Sequence, residues 1–191
     1  MKNTSNTPTR IILSGLAGSG KSSVGKALAK QLGFTFRSAG YYAREEAKKR
    51  GVSIQELQIL LKDEPEFVRK LDNQLIEWGQ STDGWIMDYR LGFALLLEAT
   101  SIYLTVEDAE AVNRIGSASR AEEFSGDEST EAMLASIRQR NENMRSRLKG
   151  LYQVDFTDRS QYDYIVSTDD KTINEVIDEI IDRIGSELHT H

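Results

Sequence analysis

The chain has 191 residues, 39% of them apolar, with two prolines, no cysteine and a net charge of −6. That length suits one α/β domain with small inserts. The lack of cysteine excludes a disulfide framework and thiolate metal sites, and the acidic balance argues against general nucleic-acid affinity. The two histidines, His189 and His191, sit at the extreme C-terminus, so histidine-based catalysis is not expected. Residues 1–10 are polar and carry no apolar signal-peptide core, and no run reaches transmembrane length. A cytoplasmic protein with no membrane or nucleic-acid partner is expected. A monomer is expected too, because no apolar helix stripe is left without a core role.

Residues 1–9 read as a disordered lead. Residues 10–14, with the apolar run Ile11-Ile12-Leu13, read as a first buried strand. Directly after it comes GLAGSGKS, residues 15–22, which fits G-x-x-x-x-G-K-S. Val24, Ala27, Leu28 and Leu32 then recur at helical spacing. A strand before and a helix after is the setting this phosphate-cradling loop needs. Glycines let the backbone curl so that its N–H groups point inward, and the helix N-terminus adds positive potential. Lys21 is placed to reach the outer phosphates and the Ser22 hydroxyl to ligate Mg²⁺. Gly15, Gly18, Ser19, Gly20, Lys21, Ser22 and Ser23 form the expected ATP-binding set.

Phe34-Thr35-Phe36 reads as a short second strand, Ser38-Ala39-Gly40 as a turn, and residues 41–49 as a helix stopped by Gly51. Ser53-Ile54-Gln55-Glu56 is a capping box, and a further helix starts near Pro65. These helices, about 38–80, read as an insert. Trp85-Ile86-Met87 is a third strand ending at Asp88, and Ile102-Tyr103-Leu104 a fourth. A helix over 107–115 leads to a Ser/Gly-rich stretch at 116–126, expected to form a mobile lid within about 114–128. A long helix over 130–149, a last strand Tyr164-Ile165-Val166, and a helix with an Ile/Val stripe complete a domain ending near 186, with 187–191 a tail. Strands alternating with helices predict a parallel sheet covered on both faces, a three-layer α/β fold.

The phosphate loop alone does not separate kinases from GTPases. No Asn-Lys dipeptide occurs, so the guanine-reading N-K-x-D motif is absent. Ser38, Gly40 and Arg44 give S-x-G-x-x-x-R after the second strand, where an Arg fork suits a phosphate. Asp88 and Arg90 lie at a strand end, where open α/β sheets bind ligands. Asp88 there suits a Mg²⁺-bound water, a substrate hydroxyl, or the cap of a following helix. Arg138, Arg140, Arg145, Arg147 and Lys149 fall within twelve residues that hold one acid, Glu142. Arg140 and Arg147, about two helical turns apart, share one face; Arg138 and Arg145 share a neighbouring face at the same spacing. Spacing alone does not choose between the pairs.

Taken together these stretches resemble the cytidylate kinase family, above all its short archaeal-type branch, a group of P-loop nucleoside monophosphate kinases. The matching residues are the P-loop, the stretch from Ser38-Ala39-Gly40 to Arg50-Gly51, Asp88-Tyr89-Arg90-Leu91, Ile102-Tyr103-Leu104-Thr105, Arg140 and Arg147 before Leu151-Tyr152-Gln153-Val154-Asp155, and Tyr162-Asp163-Tyr164-Ile165-Val166. The resemblance implies phosphoryl transfer from ATP to CMP or dCMP with Mg²⁺. It implies Lys21, Arg140 and Arg147 as catalytic groups, Ser38, Gly40, Arg44, Asp88 and Arg90 as acceptor-binding groups, and Ser22 with Asp88 at the metal. Adenylate kinases carry a longer D-G-F-P-R segment at Asp88-Tyr89-Arg90, and no Gly-Gly-Gly motif of the shikimate-kinase kind is present. An adenylate- or shikimate-kinase-like enzyme and a nucleotide-binding regulatory protein without transfer activity remain the competing readings. Tyr89 and Gln153 stand where the family usually has glycine, and the Tyr89 ring is expected to crowd the acceptor site.

Overall fold

The computed structural model describes residues 9–117 and 129–186. Its centre is a five-stranded parallel sheet: β1 (Arg10–Gly15), β2 (Thr35–Ser38), β3 (Trp85–Asp88), β4 (Thr100–Thr105) and β5 (Tyr164–Ser167), in the spatial order β2-β3-β1-β4-β5. The inner strands are buried on both faces, so they read as continuous apolar runs rather than alternating ones. At the edge, Ile165 of β5 is exposed.

Helices cover both faces. On one side α1 (Lys21–Leu32) and α8 (Ile173–Ser186) bring Val24, Leu28, Val176, Ile177 and Ile180 onto Ile11, Leu13, Ile86 and Ile102. On the other, Leu75 of α4 (Pro65–Ser81), Phe93 of the short α5 (Gly92–Leu95) and Leu148 of α7 (Thr130–Tyr152) pack on Ile12, Met87 and Tyr103. A third cluster, Ala47, Ile54, Leu57, Leu61 and Val68, joins α2 (Ala39–Arg50), α3 (Ile54–Leu60) and α4 into a helical unit between β2 and β3. The capping box at Ser53 and Glu56 is formed.

Three boundaries differ from the sequence reading. Ser38-Ala39-Gly40 is not a free turn: Ser38 ends β2 and caps α2, its hydroxyl accepting from the Tyr41 N–H at 3.4 Å. The long helix runs to Tyr152 because Gln153 takes the left-handed conformation that ends it. The helix α6 (Asp108–Ser117) absorbs the first residues of the stretch expected to be a lid, and residues 118–128 lie outside the described residues, as do 1–8 and 187–191.

Candidate active site

The strand register brings the chemistry together. Leu13 of β1 and Ser38 of β2 each pair with Asp88 of β3, so three strand ends open at one level beside the phosphate loop. The order reverses at β1, with β3 on one side and β4 on the other, which is where a crevice forms at the carboxyl edge of such sheets. The crevice is a cavity of about 1180 Å³, lined by Gly18, Gly20, Lys21, Arg44, Asp88 and Arg90 among others.

The loop fits its place with no room for larger residues. A Cβ on Gly15 would lie 2.3 Å from the Leu104 carbonyl oxygen, and one on Gly18 would lie 2.7 Å from Ala111 of α6. Both glycines also hold positive φ, at 137° and 86°. Lys21 opens α1 and is 7% exposed; its ammonium folds back, donating to the Leu16 carbonyl at 2.6 Å and the Ser19 hydroxyl at 3.2 Å. Ser23, next on the helix, is exposed on the cavity wall.

Ser22 donates to Asp88 Oδ2 at 2.7 Å and Ser38 to the same oxygen at 3.3 Å. Asp88 caps nothing: α5 begins after Leu91 with no side-chain cap. The hydroxyl and carboxylate are hard oxygen donors held side by side at the mouth of a phosphate loop, a donor set that fits Mg²⁺ with water and phosphate oxygens completing its shell.

Four arginines of α7 divide cleanly. Arg138 pairs with Asp108 at the surface, and Arg145 grips Asp155 at 2.7 Å. Arg140 and Arg147 line the cavity. With Arg90 they form a cluster: burial pushes the Arg90 guanidinium down to about 10, Asp88 opposes that, and the positive charges of Arg140 and Arg147 add to it. The Nε atoms of Arg90 and Arg147 are buried without a hydrogen-bond partner. The Arg90 guanidinium carbon lies 5.4 Å from the centre of the Phe156 ring. Burial lowers Arg147 too, opposed by Asp72 and Tyr152. Arg44 reaches the cavity from the first turns of α2; a Cβ on Gly40 would come within 3.4 Å of its Nη1, so the glycine leaves room for the guanidinium to arch back over the turn.

Sequence reasoning missed several contacts at and beside the cavity. Asn141 accepts from the Ala17 N–H at 3.0 Å, tying α7 to the phosphate loop across 124 positions. Arg114 donates to the Thr168 hydroxyl and carbonyl at 2.8 and 2.6 Å, fixing α6 to the loop after β5. Asp72 of α4 accepts from Tyr89 at 2.8 Å and from Tyr152 at 2.5 Å, so the Tyr89 phenol is anchored rather than loose in the cavity. None of these contacts has a local sequence signal. The one hint was that Tyr89 stands at a glycine position.

Comparison with known proteins agrees with this geometry. A family profile described as an AAA domain matches residues 11–134. The chain is 32% identical over 184 residues to a cytidylate kinase of Sulfolobus acidocaldarius, covering 95% of this chain and 97% of that one. It is 32% identical over 158 residues to a cytidylate kinase of Thermococcus kodakarensis, covering 83% and 78%. It is also 43% identical over 175 residues to an S-adenosylmethionine-dependent nucleotide dehydratase of Lacinutrix mariniflava, matching 91% of this chain but spanning only 35% of that protein. Among solved structures, a shikimate kinase from Acinetobacter baumannii in complex with shikimate superposes with a TM-score of 0.63 at 18% identity, over 97% of each chain, a likeness of fold. Among the described residues no helix is long and apolar enough to cross a membrane.

Proposed function

The chain belongs to the cytidylate kinase family of P-loop kinases, and from that premise we propose that it transfers the γ-phosphate of ATP to CMP or dCMP. The observation that carries this reading is the pair of buried guanidiniums, Arg90 and Arg147, whose Nε atoms lack hydrogen-bond partners on the wall of the cavity that also holds the phosphate loop. A buried N–H without an acceptor is costly, and a second phosphate group would satisfy both. One phosphate site on the loop and one on the arginines is the layout of a donor and an acceptor meeting end to end. The cavity volume exceeds that of an ordinary single-ligand pocket.

In this reading the loop amides and Lys21 hold the ATP phosphates. Lys21 leaves the Leu16 carbonyl for a phosphate oxygen. Ser22 and Asp88 would hold Mg²⁺, which supplies positive charge against the β- and γ-phosphates when bound. Arg44 and Arg90, with Ser38 and Gly40 at the turn, grip the acceptor phosphate. An oxygen of that phosphate attacks the γ-phosphorus, the bond to the ADP oxygen breaks, and the negative charge leaves on ADP. No covalent enzyme intermediate is needed, so positioning and charge dominate. Two unit negative charges 4 Å apart repel by about 4 kcal/mol at an effective dielectric near 20. Arg140 and Arg147, projecting from one face of α7, offset that repulsion as the phosphates close. The helices α2–α4 serve as the acceptor-binding insert; the lid expected within about 114–128 falls mostly outside the described residues.

The likeness to part of a nucleotide dehydratase supports a nucleotide rather than shikimate as acceptor. The test is an acceptor screen: ATP and Mg²⁺ with each nucleoside monophosphate, its deoxy form and shikimate, followed by ADP release. CMP or dCMP giving the highest kcat/KM supports the reading. Turnover confined to AMP or shikimate rejects it. Nucleotide binding with no product from any acceptor points to a regulatory protein.

A further inference from the structure

The acceptor insert meets the rest of the molecule along α4. The first half of this helix belongs to the insert, where Val68 joins the cluster of Ala47, Ile54 and Leu57. The second half belongs to the main core, where Leu75 joins Trp85, Met87 and Tyr89. Asp72 stands between the two. Its carboxylate accepts from the Tyr89 phenol, just beyond β3, at 2.8 Å, and from the Tyr152 phenol, the last residue of α7, at 2.5 Å. We propose that Tyr89 and Tyr152 are positioning residues that, through Asp72, hold the insert closed before an acceptor arrives. The inference rests on the phosphoryl-transfer reading above and adds how the acceptor half of the site is assembled.

The far end of α4 is pinned separately. The Trp85 indole N–H, at the start of β3, donates to the Gly79 carbonyl at 3.0 Å and to the Thr82 carbonyl at 2.9 Å. The Arg37 guanidinium of β2 lies 4.1 Å from the centre of the Trp78 ring. Gly79 and Asp72 are seven residues apart, so they share one face of the helix at about 10 Å along its axis. Trp85 and Tyr89 are four residues apart, about 13 Å along an extended chain. The two spans nearly match, so α4 runs back along β3 and is fastened to it at both ends. A helix fastened at one point can pivot, and one fastened at two cannot. Without the Tyr89 hydroxyl, α4 keeps only the Trp85 pin to β3.

The bonds at Asp72 are of the strong kind, since a phenol donating to a carboxylate is charge-assisted. Burial, with the Asp72 charge behind it, pushes both phenols well above their ordinary value, so they stay protonated and donate. Burial raises the Asp72 carboxyl too, while the two phenols and Arg147 oppose that rise and favour its charged form. Tyr89 is only 3% exposed, so water does not compete for its hydroxyl. The tie therefore joins the insert to the sheet and to α7, the helix that carries Arg140 and Arg147. An acceptor that meets an open insert binds more weakly in proportion to the closed fraction, and one that meets a closed insert binds at full strength.

The chain has no cysteine, so a pair of introduced thiols takes labels cleanly. Spin labels at Lys62→Cys, exposed on the insert, and at Asp178→Cys, exposed on α8, report the distance between insert and core by pulsed dipolar spectroscopy. With no other change, the labelled protein is expected to show one narrow distance that CMP does not alter. In Tyr89→Phe the ligand-free distance is expected to lengthen and spread, and to return with saturating CMP. Its KM for CMP should rise roughly fivefold or more, with kcat at saturating CMP and KM for ATP held within about twofold, because only the closed fraction has changed. Tyr152→Phe should act in the same way. Tyr162→Phe is the control: it removes a buried hydroxyl of the same cluster that bonds Ser14 and Phe156 and no helix of the insert. It should lower stability and leave both the distance and the KM for CMP alone. A distance that shortens with CMP before any tyrosine is changed overturns the proposal and needs no variant of the tie to fold. So does a Tyr89→Phe protein with an unchanged ligand-free distance or an unchanged KM for CMP, and so does an equal rise of that KM in Tyr162→Phe. The kinase reading fails separately, by absence of product with every acceptor, while the ligand-free distances still decide whether the tie holds the insert.

Discussion

The Ala17 N–H of the phosphate loop donates to Asn141 Oδ1 at 3.0 Å, and Asn141 is the neighbour of Arg140 on α7. One hydrogen bond therefore sets the distance between the donor-phosphate cradle and the helix bearing two of the proposed clamping arginines. Asn141→Ala removes the acceptor and leaves a half-buried N–H. The expected result is a loss of about 1 kcal/mol in stability and a several-fold fall in kcat with a smaller change in KM for CMP. Denaturant unfolding and steady-state kinetics on the same sample check both.

Lys21→Ala is expected to abolish transfer while the protein stays folded. The ammonium is satisfied by the loop's own carbonyl and hydroxyl, contacts it would give up in the proposed reach to phosphate. Its charge therefore matters more in the transition state than in the fold. Turnover should fall at least a hundredfold at saturating ATP, with circular dichroism unchanged. Wild-type turnover in the variant rejects the role.

Arg90 is held against its own stability interest. Its buried Nε has no partner, and burial pushes its guanidinium down to about 10. Arg90→Met should therefore melt at a temperature equal to or higher than the wild type, because a buried charge is replaced by an apolar chain of similar length. The same change should weaken acceptor binding at least tenfold, since a charge-assisted contact is worth about 1.5–3 kcal/mol, and leave ATP affinity alone. Arg44→Ala should show the same split between acceptor and donor. Titrations in which ATP weakens and CMP does not would reverse the assignment.

Gln153 ends α7 at φ 57°, a conformation that costs a non-glycine residue about 1–2 kcal/mol. Its N–H still closes the helix on the Lys149 carbonyl. Gln153→Gly should raise stability by roughly 0.5–1 kcal/mol, the relief of strain less the entropy glycine adds to the unfolded chain. A higher denaturation midpoint at unchanged slope would confirm it.

Asp155 accepts from two Arg145 groups, Nε (shared between both carboxylate oxygens) and Nη2, and from the Thr157 N–H and hydroxyl. The Arg145 guanidinium, followed by Thr157, holds its carboxyl well below the usual carboxylate range. A group depressed in the folded state stabilises above its unfolded value, about 3.9, and that stability is lost as pH falls towards the folded value. Asp155→Asn should thus flatten the stability profile below about pH 4 and lower stability at neutral pH. Urea midpoints measured at intervals from pH 2.5 to 7 would show it.

Much of this was legible in the chain. The loop, its flanking strand and helix, and the parallel sheet follow from local pattern, since glycine spacing and apolar runs are short-range signals. Asp88 and Arg90 were singled out because strand ends collect ligands, and Arg44 because S-x-G-x-x-x-R follows the second strand; all three line the cavity. The resemblance pointed to Arg140 and Arg147, but spacing did not separate them from Arg138 and Arg145, because that depends on Asp108 and Asp155, acids 30 and 10 residues away that take the other pair. Asn141 and Asp72 act through tertiary contacts that carry no periodicity. Gln153 was noted as a departure from glycine, but its dihedral, which gives the departure a cost, exists only in the folded chain.

The register of β1 has a consequence for how the molecule is made. Ile11 lies beside Ile86 on one side and Thr100 on the other, so β1 gains its neighbours only after 75 and 89 further residues have been made, the differences of the paired positions. Non-local pairing of this kind is slow, and apolar strands waiting for partners are exposed to aggregation. The phosphate loop waits longer still. The backbone packed behind Gly15 comes from Leu104, the wall against Gly18 from Ala111, and the acceptor for the Ala17 N–H from Asn141. A nascent chain that stalls before α7 therefore carries the phosphate-loop sequence without the acceptor for its Ala17 N–H.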